Sequence, residues 1–111
     1  MIERRPNWLR GVLEPCLLAL LREGPAHGYE LAGRLEAAGL GTVPGGSLYP
    51  ALARLAERGA VVADWQAGDG GPGRKVYAIT DDGRRQLAEQ ADAWAGFAAS
   101  VGGLLLGAEA P

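Results

Sequence analysis

The stretch Gly45–Tyr77, GGSLYPALARLAERGAVVADWQAGDGGPGRKVY, changes its periodicity partway along. Its first part sets Leu48, Ala51, Leu52 and Leu55 at the i, i+3, i+4, i+7 spacing of one buried helical face, while Tyr49, Pro50, Ala53, Arg54, Glu57 and Arg58 point elsewhere. Beyond Gly59 the run Ala60 to Gln66 alternates as a strand does, and Lys75 to Thr80 does so again. AGDGGPG between them is too rich in glycine to hold regular structure and predicts a flexible hairpin loop. A short helix, two strands and a hairpin tip followed by Arg74-Lys75 describe a winged helix-turn-helix, with one helix face for a core and one for a groove.

Two prolines constrain where that helix starts. With Pro44 at the first position, Pro50 would fall inside the helix and delete an interior hydrogen bond, at about 3 kcal/mol. With Ser47 as the N-cap, Pro50 falls in the first turn, where its missing N–H is harmless. The expectation is a regular helix from about Ser47 to Arg58, with one looser turn before it.

Upstream, Asn7 is placed to cap a short helix carrying Trp8, Leu9, Val12 and Leu13, with a kink near Glu14 and a second start at Pro15. Cys16 to Leu21 is apolar nearly all round, which predicts a central helix ended by Gly24-Pro25. HGYELAGRLEAAG resumes a helical period through Tyr29, Leu31, Ala32 and Leu35 and stops at Gly39, after which GLGTVPGG turns. His27 and Tyr29 open that helix in structural roles. Downstream, Thr80 caps a long last helix whose first turn carries Asp81 and Asp82 against its positive end.

In that last helix Leu87, Ala91, Trp94, Ala98, Val101 and Leu105 recur at spacings 4, 3, 4, 3, 4, a heptad seam. A seam this narrow calls for a partner helix, and no other segment matches it. The simplest partner is the same helix of a second copy, related by a two-fold axis. Packing on its own domain is the competing account. The chain thus divides into a winged-helix unit over residues 1–80 and a C-terminal dimerisation helix and tail over 81–111, a mainly α fold with a small β-hairpin.

The 111 residues suffice for one domain without covalent staples. A lone cysteine among Leu13, Leu17 and Leu20, Cys16, reads as a small core hydrophobe. One histidine, one cysteine and no phosphate-cradling GxxxxGK motif leave no catalytic constellation, no metal site and no cofactor motif. Arg4, Arg5 and Arg10 precede an apolar stretch, but Glu14, Pro15 and Arg22-Glu23 break it, so neither an export signal nor a membrane span is expected, and the cytoplasm is the default location. Ten arginines to one lysine, with many Ala and Gly, suggest a GC-rich bacterial genome. The net charge of −2 is uneven along the chain. Residues 1–43 balance five Arg with five Glu; Arg54, Arg58, Arg74 and Lys75 against Glu57, Asp64 and Asp69 leave residues 44–80 at +1; residues 81–111 sum to −3. The excess acid lies in the tail, and the reading head is mildly basic.

LRGVLEPCLLALLREGPAHGYELAGRL, PGGSLYPALARLAERG and GGPGRKVYAITDDGRRQLAE, in that order, resemble the PadR-like transcriptional regulators over nearly all of residues 9–90. With a single helix after the wing, the chain is similar to the short subfamily. It departs from the pattern in its doubled Gly45-Gly46 and in alanines at several usually basic surface positions. The resemblance implies a dimer that binds an inverted-repeat operator in double-stranded DNA and responds to small aromatic or drug-like compounds, most simply as a repressor. An aromatic at the place of Trp94 lines the effector pocket in short members of the family.

From the residues, Ser47, Tyr49, Pro50 and Arg54 lie where a recognition helix meets base edges, and Arg74, Lys75 and Tyr77 where a wing meets the sugar-phosphate wall. Trp94, flanked by Ala91, Ala95 and Ala98, is the candidate to sandwich a planar guest at the two-fold axis, with Trp8 and Phe97 as further walls; simple interface filling also accounts for it. The acidic balance supports a second class of function, a dimeric winged-helix adaptor that binds protein and not DNA.

Overall fold

A computed structural model describes residues 8–68 and 70–107. The cap expected of Asn7 lies outside the described residues. A single 3-10 turn, Leu9–Gly11, leads into α1, Leu13–Leu21. The break comes at Val12 (φ −125°), two residues before Glu14, and Pro15 falls in the first turn of α1, where no N–H is needed.

Helix α1 is the centre of the molecule. Leu13, Leu17, Leu18 and Leu21 are buried, and Cys16, Ala19 and Leu20 pack partly against the same core. Burial raises the Cys16 thiol above its ordinary pKa, as an inert core thiol requires. Helices α2, Gly28–Leu35, and α3, Gly45–Glu57, cross it, adding Leu31 and Leu35 from α2 and Leu48, Ala51, Leu52 and Leu55 from α3. These four α3 positions are the ones its periodicity selects. Helix α2 runs on into a wider turn, Glu36–Leu40, ended by Gly39 at φ +90°.

The start of α3 differs from the Ser47 expectation. Both Ser47 N–H (2.9 Å) and Leu48 N–H (3.0 Å) bond to the Pro44 carbonyl, so the helix begins at Gly45 and Pro50 lies inside it. The carbonyl that Pro50 leaves without a partner belongs to Gly46, which is exposed and so open to solvent, where a missing helix bond costs less than in a core.

The sheet has three antiparallel strands in the order β1-β3-β2, one more than the sequence indicates: β1, Ala26–His27, β2, Val61–Gly68, and β3, Gly71–Ile79. The glycine-rich stretch is not an irregular loop. Gly68 pairs with Gly71 and Gly70 has φ +69°, so the two strands of the wing stay paired as far as Gly68 and Gly71. Between the Gln66–Arg74 and Gly68–Gly71 pairs β3 carries one extra residue, a bulge. A Cβ on Gly73 would stand 2.8 Å from the Gln66 carbonyl oxygen, so the bulge needs glycine there.

Helix α4, Asp81–Leu106, is capped by Thr80, whose Oγ accepts from Gly83 N–H at 2.9 Å and donates to the Gly59 carbonyl at 2.6 Å. Only its first turns belong to the domain. Leu87, first residue of the heptad seam, is 7% exposed in the protomer's own core, so the seam open to a partner starts at Ala91. From there α4 extends outward with Trp94, Phe97, Leu104, Leu105 and Leu106 exposed. The radius of gyration, 16.1 Å, exceeds the roughly 13 Å of a compact chain of this length.

Gly83 fixes where the arm leaves the domain, because a Cβ there would overlap the Ala60 carbonyl, a backbone atom with no rotamer to yield. Gly83→Ala is expected to lower the melting temperature by several degrees, a loss of about 2 kcal/mol or more. Gly96→Ala, on the same helix with open space around it, should raise stability by roughly 0.5 to 1 kcal/mol. Equal melting curves for the two variants would refute this placement.

Candidate nucleic-acid interface

The exposed side of α3 has a small-residue crest, Gly46, Pro50 and Ala53, with polar flanks. Tyr49 stands on the flank toward the wing, and Ser47 and Arg54 on the flank toward α1. The crest lets the helix backbone approach a surface closely, and the flanks supply donors.

Between α3 and the wing lies a groove of about 840 Å³. Tyr49, Ala53 and Ala56 form one wall, Ala63 and Trp65 of β2 with Lys75 and Tyr77 of β3 the other, and Gly28 and Tyr29 close one end. Strand alternation sends the adjacent Arg74 and Lys75 to opposite faces of the hairpin. Lys75 stands opposite Trp65 and Arg74 opposite Gln66, yet the long Arg74 side chain also lines the groove beside His27, its Nη1 3.2 Å from His27 Nε2.

His27 caps α2 with its ring: Nδ1 accepts from the Glu30 N–H at 3.1 Å, which requires that nitrogen to be unprotonated. Tyr29 is 84% exposed and stacks loosely on His27 at 6.5 Å, so it is a surface aromatic at the groove end and not the structural residue its position suggests. Tyr49 lies flat over Gly28, where a Cβ would come within 2.5 Å of its ring. That contact aims the phenol into the groove. Tyr77 is 5% exposed, its ring lying in the core; burial, and then the nearby Tyr49, raise its pKa, so the hydroxyl remains a donor at neutral pH.

On the other flank, Glu14 of α1 holds two arginines of the α3 segment. Arg54 Nε donates to Oε2 at 2.6 Å and Arg58 Nη1 lies 2.5 Å from Oε1. Arg54 is thus tied to α1 by one edge of its guanidinium, a constraint with no signature in sequence. Burial by itself would raise the Glu14 pKa, but the hydrogen bonds and charges of Arg54 and Arg58 outweigh it and hold the carboxyl below its ordinary value.

Four residues of this face escape the sequence reading: Glu14, His27, Tyr29 and Trp65. Trp65 had a legible signal, since Val61, Ala63 and Trp65 share one face of β2 and the last of them, 72% exposed, projects past the core edge. On the arm, Trp94 and Phe97 are neighbours at 6.3 Å, while Trp8 is exposed and among the described residues makes no aromatic contact with them. Among the described residues no group of His, Cys, Asp and Glu could hold a metal, and no helix is long and apolar enough to cross a membrane.

A recognition helix flanked by a wing, with an apolar arm leaving the domain, defines the winged-helix class of regulators. The model of the transcriptional regulator PadR-like family matches residues 17–89, and the chain belongs to that family. It is similar to a PadR-like transcriptional regulator from Bacillus cereus at 37% identity, covering 90% of this chain and 97% of that one, with a TM-score of 0.76. A PadR family transcriptional regulator from Eggerthella lenta shares 38% identity over 86% of this chain and 83% of its own, TM-score 0.77. A transcriptional regulator from Clostridium thermocellum shares 26% identity over 86% and 94%, TM-score 0.74. No curated protein matches the chain.

The depressed Glu14 carboxyl has a stability consequence of definite sign. A group whose folded pKa lies below its unfolded value stabilises the fold at neutral pH, and that contribution is lost as the pH falls through the ordinary carboxylate range to the folded value. Glu14→Gln should therefore cost stability at pH 7 and progressively less toward pH 3. Chemical denaturation across that window checks it; a constant difference between the two proteins would contradict the assignment.

Proposed function

We propose that the protein is a homodimeric regulator, most simply a repressor, that binds a two-fold operator in double-stranded DNA with α3 in the major groove and the wing on the flanking backbone. The observation that carries this reading is the shared face of α3 and the hairpin. There the small crest of Gly46, Pro50 and Ala53 stands between Tyr49, Lys75 and Arg74 on one side and Ser47 and Arg54 on the other. Tyr77 contributes at most its hydroxyl, and Trp65 adds an apolar surface suited to deoxyribose.

The second copy covers the arm. Ala91, Trp94, Ala98, Val101 and Leu105 form the seam, and the exposed Leu104 and Leu106 flank it. A two-fold axis through the arms sets two α3 helices in mirrored half-sites about one helical turn apart. Trp94 and Phe97, brought near that axis with their counterparts, form walls for a planar aromatic effector. Trp8 joins them only from the partner protomer.

Of the basic residues on α3 and the wing, Arg58 is engaged by both Glu14 and Gln86, which leaves Arg54, Arg74 and Lys75 to meet phosphate. A dimer neutralising phosphates with all of them would show a log–log salt slope of about −5. Titration of a palindromic duplex against a scrambled one should give that slope, specificity for the palindrome, and loss of binding on charge reversal at Arg74 and Lys75. Indifference to salt, sequence and charge reversal would favour the protein-binding adaptor, for which the net charge of −2 is the supporting observation. For the effector site, planar aromatic compounds should quench tryptophan emission in the dimer, and Trp94→Ala should abolish quenching while sedimentation still reports a dimer. An unchanged titration in that variant would remove Trp94 from the site.

A further inference from the structure

We propose that Glu14, on α1 and away from the DNA-facing crest, is a positioning residue for recognition: it grips Arg54 from behind through Nε and presents the outer Nη edge to a pair of acceptor atoms on DNA. The inference rests on the reading of α3 as the recognition helix and assigns a residue to it that lies on another element.

The geometry separates holding from presenting. A guanidinium offers five N–H donors in a rigid plane, and a carboxylate on the Nε side leaves the two Nη groups free to act together on the opposite side. Glu14 takes the Nε, at 2.6 Å, and among the described residues the Nη groups of Arg54 have no hydrogen-bond partner.

Burial follows the same division. The Glu14 side chain is 20% exposed and that of Arg54 55%, so the grip lies inside and the head outside. Glu14 is itself fixed, since its other oxygen meets Arg58 and Arg58 Nε lies 3.4 Å from Gln86 Oε1 on α4. Arg54 lines a hollow of about 280 Å³ with Arg10, Ser47 and Pro50 at the front of α3. Its orientation is therefore determined before DNA arrives, and binding does not have to order a long side chain. The acceptors that suit a paired Nη edge are O6 and N7 of a guanine or two oxygens of one phosphate.

The test uses the full-length protein and the palindromic duplex recovered by selection from random sequence, comparing wild type, Glu14→Gln, Arg54→Lys and the double variant. Glu14→Gln should weaken binding about tenfold. In the Arg54→Lys background the same change should do nothing, because a lysine ammonium, held or not, has no planar pair of donors to present. If the acceptor is guanine, the loss is confined to duplexes that keep one symmetric G·C pair and the salt slope is unchanged. If it is phosphate, every duplex loses equally and the slope becomes shallower. Thermal melts establish that the variants are folded at the assay temperature; Glu14→Asp, which keeps the charge but retracts it, is the second variant and should weaken binding in the same direction. Unchanged or tighter binding in Glu14→Gln, or an equal loss in the Arg54→Lys background, would overturn the proposal. A wild-type protein that retains no duplex at low salt would instead overturn the DNA-binding reading itself.

Discussion

Everything in this molecule is arranged around one short helix that has to be covered on nearly every side. Leu17 and Leu18 of α1 are completely buried and Leu21 nearly so, and each such side chain contributes about 1.5 to 3 kcal/mol when removed from water. A helix apolar all round cannot be a surface helix, so α2, α3, α4 and β3 all pack on it. The spacing between α3 and the arm is therefore set by leucine packing, and close-packed interiors do not deform continuously. Packing fixes distance better than rotation about a helix axis. Rotation of α3 relative to α1 is where Glu14 enters: a charged residue in the first turn of α1, favourable against the helix dipole, reaches across to Arg54 and Arg58.

The elements of the fold were legible where periodicity was strong. Leu48, Ala51, Leu52 and Leu55 are buried as their spacing requires, Cys16 to Leu21 runs through the centre, and Thr80 caps the last helix. The misreadings share a physical cause, which is that local propensity was overruled by pairing or packing out of sequence. A glycine-rich segment has weak strand propensity by itself, yet opposite a partner strand it forms a tight hairpin with Gly70 at positive φ and Gly73 in the bulge. A proline inside α3 is costly in a buried helix and much less so where the carbonyl it strands faces water. Strand β1 is two residues long and has no pattern to detect, since it exists only because β3 passes beside it.

The interface was less legible than the fold, and for a related reason. Sequence shows which side chains are polar, but not what they already bind. Arg54 and Arg58 look alike as cations near the end of an amphipathic helix, and only the three-dimensional contact with Glu14 separates an arginine held by one edge from one occupied on two sides. Arg74 and Lys75 read as a basic pair, and although the two-residue period of the strand roots them on opposite faces, both side chains line the groove. An aromatic in an alternating or helical run is ordinarily core, whereas Trp65 and Tyr29 both stand at the margin where the core ends.

An overall charge of −2 is compatible with a DNA-reading surface because the charges are segregated by element. Near a duplex the field is screened within about 8 Å at physiological salt, so what matters is the local balance on the face that approaches, not the sum over the chain. The acids of α4 begin with Asp81 and Asp82 at its N-terminus, where they stabilise the helix, and Asp82 is further occupied by Arg85 and Gln86. Gln86 also bonds to the carbonyl of Arg58, which places the base of the arm and the end of α3 in one polar network. A rotation of α4 about its axis would carry Gln86 with it and disturb Arg58, then Glu14, then Arg54. The leucine core resists such a rotation near Leu87, where the helix is buried, and does not resist it further out, where Trp94 and Phe97 stand clear of the domain. The first turns of α4 therefore join the arm to α3, since the buried Gly83 and Leu87 and the polar network of Asp82 and Gln86 lie on the same stretch of helix.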